Sequence, residues 1–122
     1  MARILVIDDD PRIRLLIRRI LEGDGHAVEE AGNGSAGVDK QCVTPFDLVI
    51  TDIVMPDQEG VETIRVLKRR FPALPIVAMS GGGGGSLDYL EMARKMGASA
   101  VLAKPFTNLD VTGTVSGLLV AT

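Results

Sequence analysis

Five short runs of aliphatic residues recur along the chain, separated by longer stretches in which apolar residues return with a helical period. The runs lie at 3–7, 26–31, 46–51, 75–79 and 100–103. Four of them are almost continuously hydrophobic, which is typical of parallel strands that are covered on both faces. The run at 26–31 is more polar, so we predict that it forms an edge strand.

Helical periodicity fills the intervals between the predicted strands. The first interval carries apolar residues at i, i+3, i+4, i+7 and i+8, namely Ile13, Leu16, Ile17, Ile20 and Leu21. Asp10 and Pro11 suit the N-cap and the first helical position, and Gly23 suits the helix end. Further helices are predicted at about 35–43, 58–71, 86–96 and 107–120. Thr107 and Asp110 form a capping box that would open the last of them.

Strands that alternate with helices in this way predict an α/β fold. Because crossover connections are right-handed, the strands are expected to form one doubly wound parallel sheet with helices on both faces. A chain of 122 residues suits one domain better than two, so we assign residues 1–122 to a single domain.

Composition and charge exclude several classes of protein. The one cysteine cannot form an internal disulfide, and no apolar run reaches the length of a membrane span or has the layout of a signal peptide. These features are expected of a cytoplasmic protein with no membrane segment. The formal net charge of −3 disfavours direct binding to nucleic acid or to a membrane surface.

Polar and charged residues stand at the carboxyl ends of four of the five predicted strands. In chain order they are Asp8 and Asp9, then Asp52, Ser80 and Lys104. In an open parallel sheet, ligands bind beyond the carboxyl ends of the strands. We therefore expect these side chains to meet at one site.

The residue types at this edge indicate a particular chemistry. Three crowded carboxylates repel one another unless a cation lies between them. Oxygen ligands from two or three side chains, with room for water, suit Mg²⁺ better than a closed Ca²⁺ site. A cation beside Asp52, with Lys104 opposite and the Ser80 hydroxyl nearby, would stabilise an anion with several negative oxygens. The residues therefore predict phosphoryl transfer with Asp52 as the nucleophile.

Four short motifs at these strand ends carry a resemblance to a known family. They are Leu5-Val6-Ile7-Asp8-Asp9-Asp10, Asp52-Ile53-Val54-Met55-Pro56 with Gly60, Met79-Ser80-Gly81, and Lys104-Pro105-Phe106. In this order the motifs resemble those of response-regulator receiver domains of two-component systems, in particular single-domain chemotaxis regulators. The resemblance extends from Ile4 to about Leu119 and implies a flavodoxin-like sheet of five strands in the order 2-1-3-4-5.

The resemblance also implies roles for the predicted site residues. Asp52 would accept the phosphoryl group, Lys104 would pair with its oxygens, and Ser80 would be the switch hydroxyl that turns toward it. The donor would be a phosphohistidine of a histidine kinase or a histidine phosphotransfer protein, and slow hydrolysis would follow. His26 lies away from the predicted site, so the phosphohistidine must belong to another protein.

A metal site and a mode of action follow from the same resemblance. Mg²⁺ would be held by Asp8, Asp9, Asp52 and the backbone carbonyl of Val54. The implied function is a phosphoacceptor signalling module of a two-component system or phosphorelay, which binds an unidentified downstream protein or relays phosphate. It would catalyse only its own phosphotransfer and slow dephosphorylation, so it is not expected to be an enzyme. We expect a monomer or a weak homodimer.

Two features depart from the usual pattern of the family. Three residues before the lysine, receiver domains usually carry an aromatic residue that swings inward, and here this position is Val101. Five consecutive glycines, Gly81–Gly85, follow Ser80 directly. A glycine run has high backbone freedom. It is either a loop without a specific purpose or a moving segment that replaces the missing aromatic switch.

Two alternative functions are compatible with parts of the sequence. A receiver fold that serves only as a phosphorylation-independent adaptor is one, and Val101 favours it. A small phosphohydrolase with Asp52 as nucleophile is the other, but haloacid-dehalogenase-type phosphatases carry a second aspartate where this chain has Val54.

Two further expectations concern structural residues. Cys42 is predicted to be a small buried residue of the second helix. The arginines off the apolar stripe of the first helix are predicted to form either a solvated face or a docking face for an acidic partner, and they are Arg12, Arg14, Arg18 and Arg19.

Overall fold

The computed structural model describes residues 1–53, 59–80 and 86–120, and these residues contain five strands and five helices in strict alternation. The strands are β1 (Arg3–Ile7), β2 (Ala27–Ala31), β3 (Leu48–Asp52), β4 (Ile76–Ser80) and β5 (Ala100–Ala103). The helices are α1 (Pro11–Gly23), α2 (Gly34–Val43), α3 (Glu59–Arg70), α4 (Ser86–Met96) and α5 (Asn108–Val120).

The five strands form one parallel sheet in the order β2-β1-β3-β4-β5. This order confirms the predicted 2-1-3-4-5 topology, with the more polar β2 at an edge. The third and fourth strands were predicted at positions slightly N-terminal to the observed ones, at both ends. Pairing continues to Asp52, which lies opposite Met79, and to Ser80, which lies opposite Ala103. Two candidate site residues are therefore the last residues of strands.

The core consists of two apolar layers, one on each face of the sheet. Along β1, Leu5 and Ile7 belong to the layer that also contains buried residues of α3 and α4, such as Ile64, Leu67 and Ala93. Ile4 and Val6 belong to the layer with buried residues of α1 and α5, namely Ile17, Leu21, Val111 and Val115. Successive strand residues thus face opposite layers, which explains why the strands read as continuous hydrophobic runs. None of the described helices is long and apolar enough to cross a membrane.

The predicted helix starts at α1 and α5 are confirmed in atomic detail. The Asp10 carboxylate accepts a hydrogen bond from the backbone N–H of Arg12 at 2.9 Å, with Pro11 as the first helical residue. At α5 the Thr107 hydroxyl accepts from the backbone N–H of Asp110 at 3.1 Å. In return, the Asp110 carboxylate accepts from the N–H of Thr107 at 2.8 Å. Both caps satisfy backbone donors that a helix start leaves without internal partners.

The prediction that Cys42 is buried is wrong. Cys42 is exposed, and the neighbouring Gln41 is the buried residue, its Oε1 accepting the N–H of Phe46 at 2.9 Å. The reason lies in how α2 meets the sheet. A Cβ atom at Gly37 would lie 2.3 Å from Cδ1 of Ile7, so the backbone of α2 at Gly37 packs directly against Ile7. In this orientation of α2, Cys42 faces outward.

Candidate functional site

Four strand ends bring the predicted site residues to one edge of the sheet. Asp8 directly follows β1, Asp52 and Ser80 end β3 and β4, and Lys104 directly follows β5. Backbone hydrogen bonds hold the last two ends together, because the Lys104 N–H donates to the Ser80 carbonyl at 2.8 Å. The peptide bond between Lys104 and Pro105 is cis.

Three carboxylates form a cluster at this edge. Asp8, Asp9 and Asp52 each offer one carboxylate oxygen, and these oxygens all lie within 4.8 Å of one another. Asp8 and Asp52 are buried, with 0% and 4% of their surface exposed, whereas Asp9 is exposed. The cluster thus consists of two buried carboxylates and one carboxylate at the protein surface.

Lys104 supplies a positive charge to both buried carboxylates. Its Nζ lies 3.2 Å from Oδ2 of Asp52 and 3.3 Å from Oδ2 of Asp8. Burial by itself lowers the pKa of Lys104, but the charges of Asp52 and Asp8 and the hydrogen bonds to them outweigh it, so the pKa is raised overall. The ammonium group is therefore firmly protonated at neutral pH.

Asp8 is held on both carboxylate oxygens. Its Oδ1 accepts the backbone N–H of Asp10 at 2.8 Å, and its Oδ2 faces Lys104. Burial raises the pKa of Asp8 to about 6, the hydrogen bond from Asp10 opposes this rise, and the negative charge of Asp52 adds to it. Burial is thus the main cause of the raised pKa, and the neighbouring carboxylate of Asp52 adds to it.

Ser80 completes the set of predicted side chains at this edge. It is fully buried and lies one residue beyond Met79, the register partner of Asp52. The structure thus brings together Asp8, Asp9, Asp52 and Lys104 by measured distances and places Ser80 on the neighbouring strand end. The predicted carbonyl ligand of Val54 and the glycine run 81–85 lie outside the described residues. Val101 is half-buried in β5 against the apolar layer of α3 and α4.

The donor set fits a divalent cation. Carboxylate oxygens are hard ligands, and the described protein ligands leave positions open for water, which suits Mg²⁺ better than a fully enclosed Ca²⁺ site. Three carboxyl groups lie together here, and the ammonium of Lys104 contacts only two of them, so the cluster has room for a further positive charge. A cation there would also offset the negative charge of Asp52, which adds to the rise that burial causes in the pKa of Asp8.

Gly60 has a role at this site that the sequence reading did not assign. A Cβ atom at Gly60 would lie 2.3 Å from the Asp52 carbonyl oxygen and 2.4 Å from Cα of Ile53. The first turn of α3 therefore packs directly on the backbone that carries Asp52. Only glycine permits this approach, because both neighbours are backbone atoms that no rotamer change can move aside.

Arg14 is a second residue beside the site whose contacts the sequence does not reveal. It was expected on a solvated or docking face, yet its side chain is only 20% exposed, against 90% for Arg12. Its guanidinium contacts the backbone of Asp8 and the carboxylate of Glu30. Helical periodicity places Arg14 off the apolar stripe of α1, but it carries no information on the partner that β2 supplies.

Comparison with known proteins agrees with this geometry. A family model described as the response regulator receiver domain matches residues 4–116. The response regulator receiver protein CpdR of Brucella abortus is 32% identical over 121 residues, which cover 99% of each chain. The transcriptional regulatory protein ResD of Bacillus subtilis is 33% identical over 123 residues, which are 97% of this chain and 48% of ResD.

Solved structures show the same fold. A receiver domain protein from Clostridium thermocellum superposes with a TM-score of 0.90 at 32% identity, covering 99% of this chain and 96% of that one. A CheY-like receiver domain protein from Methanospirillum hungatei gives a TM-score of 0.91 at 30% identity, with coverage of 99% and 95%. Among the curated relatives, the chain spans nearly all of CpdR but about half of ResD and 25% of the regulator ZraR of Klebsiella oxytoca.

Proposed function

The chain belongs to the response regulator receiver family, and from this premise we propose that Asp52 accepts a phosphoryl group from a phosphohistidine of another protein. Receiver domains are the phosphorylatable modules of two-component signalling. We further propose that residues 1–122 act as one such module, with output through protein binding or phosphate relay.

The observation that carries the proposal is the surroundings of the Asp52 carboxylate. One carboxylate oxygen lies 3.2 Å from the protonated amine of Lys104, and the side chain is within 4.8 Å of the other two carboxylates of the cluster. A carboxylate used only for structure would need a partner cation but no second and third carboxylate beside it. The surplus negative charge supports a site that receives a cation and a phosphoryl group together.

The proposed transfer is a displacement at phosphorus. An oxygen of Asp52 forms the new O–P bond while the P–N bond of the phosphohistidine breaks, and the imidazole leaves with the electron pair of that bond. The products are an acyl phosphate on Asp52 and a histidine that takes up a proton from solvent. Hydrolysis of the acyl phosphate by water returns the carboxylate.

Asp8, Asp9 and Asp52 would hold Mg²⁺, and we propose the backbone carbonyl of Val54 as a further ligand. When bound, the ion would offset the charge of the phosphoryl oxygens. The protein's own contribution is the fixed ammonium of Lys104, which already lies between Asp8 and Asp52 and supplies a positive charge to an incoming phosphoryl oxygen.

Ser80 is proposed as the hydroxyl that responds to phosphorylation. It ends β4, next to the strand that carries Asp52, and its backbone is tied to Lys104. A hydrogen bond from the Ser80 hydroxyl to a phosphoryl oxygen would couple the modification to the segment after β4.

The partners follow from this chemistry. The phosphoryl donor is proposed to be a histidine kinase or a histidine phosphotransfer protein in the cytoplasm, and the recipient of the signal a further protein. No enzymatic activity is proposed beyond the chain's own phosphotransfer and slow dephosphorylation. A monomer or a weak homodimer is proposed as the working state.

Intact-mass spectrometry after incubation with acetyl phosphate and Mg²⁺ tests the proposal. The wild-type protein is expected to gain one phosphoryl group, and Asp52→Asn is expected to gain none. Asp39→Asn is a suitable control, because Asp39 is an exposed carboxylate on α2, away from the cluster. Equal incorporation by the wild type and the Asp52 variant would contradict the assignment of the phosphoacceptor.

A further inference from the structure

We propose that Arg14 is a positioning residue that sets the geometry of the Asp8–Asp9 metal site by holding the peptide plane between the two aspartates. The inference rests on the proposed function, because it concerns the same Mg²⁺ site. Nη1 of Arg14 donates to the backbone carbonyl of Asp8 at 2.8 Å, and Nε donates to Oε1 of Glu30 at 3.0 Å. Arg14 thereby links the turn after β1 to the edge strand β2.

Peptide planarity carries this contact to Asp9. The carbonyl oxygen of Asp8 lies in the same rigid plane as the amide nitrogen and Cα of Asp9. Fixing that oxygen therefore fixes the Cα position of Asp9 and the direction of its N–Cα bond. Rotation about that bond is restrained from the other side, because the N–H of Asp10 donates to Oδ1 of Asp8. Together these contacts set the direction in which the Asp9 side chain leaves the backbone. This matters for Asp9, because its carboxylate is exposed, and within residues 1–53, 59–80 and 86–120 no side chain forms a hydrogen bond or an ion pair with it.

Asp8 itself is already held by other groups. Its N–H donates to the Ala31 carbonyl at 3.2 Å, Oδ1 accepts from the N–H of Asp10, and Oδ2 faces Lys104. The bond from Arg14 to the carbonyl is thus the contact that acts on the next residue. Its expected effect is on the orientation of Asp9.

Arg14 is well suited to this task because it is anchored from the opposite side. The Glu30 carboxylate binds Nε of Arg14 through one oxygen and Nη1 of Arg18 through the other at 3.2 Å, and the Lys40 amine donates to the Glu30 carbonyl at 2.7 Å. The Arg14 guanidinium is therefore fixed between Glu30 and Asp8. A lysine could pair with Glu30, but its single ammonium has no planar fork to reach both partners.

Electrostatics and positioning predict opposite effects on Mg²⁺ affinity, which makes the inference testable. Removal of a cation near three carboxylates should tighten the binding of Mg²⁺ if charge alone mattered. Loss of a group that orients a metal ligand weakens binding, typically by about tenfold or more. We expect the second effect to dominate after Arg14→Ala.

The experiment is an NMR titration of the unphosphorylated protein with MgCl₂, followed through the backbone amides of Asp9 and Asp10, with urea unfolding of the same proteins in EDTA. Arg14→Ala and Arg14→Lys are both expected to raise the Kd about tenfold. The lysine variant is expected to unfold near the wild-type midpoint, because its ion pair with Glu30 survives. Arg18→Ala is the matched control: it loses a Glu30 contact but none to Asp8, and its Kd should stay within about twofold of the wild type.

The outcomes separate this inference from the proposed function. If the wild type binds Mg²⁺ and Arg14→Ala binds it equally or more tightly, the inference is overturned and the metal site stands. If Arg14→Lys restores both the Kd and the unfolding midpoint, Arg14 has a structural role only. If the wild type shows no Mg²⁺ binding, the proposed metal site fails and the inference fails with it. Should Arg14→Ala not fold, the lysine variant decides alone.

Discussion

Replacement of Asp8 by asparagine should stabilise the metal-free protein, because the fold holds an ionised carboxylate where burial disfavours charge. Burial raises the pKa of Asp8 from its ordinary value of 3.8 to about 6. In the unfolded chain this carboxyl ionises near its ordinary value. Between the two pKa values the folded protein keeps a proton that the unfolded protein has lost, so stability falls as the pH rises through this window.

The size of the effect follows from the shift. A rise from 3.8 to about 6 corresponds to about 3 kcal/mol of unfolding free energy, reached in full above pH 7. At pH 4, close to the lower of the two pKa values, only a small part of this loss has developed. Asparagine carries no charge and its amide oxygen can still accept the N–H of Asp10, whereas its amide nitrogen gives up the hydrogen bond from Lys104. We therefore expect Asp8→Asn to be about 3 kcal/mol more stable than the wild type at pH 7.5, or about 10 °C in Tm.

Urea unfolding followed by far-UV circular dichroism, in EDTA at pH 4 and pH 7.5, measures this difference. Asp9→Asn is the matched control, since it removes the neighbouring but exposed carboxylate, and it should change stability by less than about 0.5 kcal/mol. An Asp8 variant no more stable than the wild type at pH 7.5 would refute the reasoning. An equal gain at both pH values would refute it too, because it would assign the effect to packing or hydrogen bonding.

Three further predictions concern the metal, the backbone near Asp52 and a helix cap. MgCl₂ at ten times its Kd should raise the unfolding free energy of the wild type by about 1.4 kcal/mol. The gain should be much smaller after Asp9→Asn, and equal gains in a thermal scan would remove Asp9 from the metal site. Gly60→Ala should cost more than about 2 kcal/mol, because the new Cβ would lie 2.3 Å from the Asp52 carbonyl, and unchanged urea unfolding would contradict this packing. Thr107→Ala should cost about 1 kcal/mol, because the N–H of Asp110 loses its acceptor, and an unchanged Tm would argue against the capping box.

Most of the fold could be predicted from the sequence, because it depends on local patterns. The strands pack between two apolar layers, so each run of aliphatic residues marks a strand whichever layer a given residue faces. The caps at Asp10 and Thr107 are contacts between residues two or three positions apart, and such contacts can be recognised in the sequence. Local patterns misplace the ends of two strands slightly and predict a buried Cys42, because the close packing of Gly37 on Ile7 decides which side of α2 faces inward.

The membership of the site could be predicted for a related reason. The parallel direction of the strands brings their carboxyl ends to one edge, and the strand order places β1, β3, β4 and β5 side by side there. Residues that directly follow or end those strands must therefore lie near one another. Asp8, Asp52 and Lys104 were identified in this way, and the structure confirms their proximity.

The sequence by itself thus determined the fold class, the strand order through family resemblance, and which side chains share the sheet edge. Only the tertiary structure decided how the members of the site differ. Asp8 and Asp9 are adjacent in sequence, yet one is buried with a raised pKa and the other is exposed. Likewise, Arg14 contacts Glu30 of β2, and Gly60 packs on the backbone of Asp52. These properties depend on distances between residues remote in the chain, which local pattern and propensity do not encode.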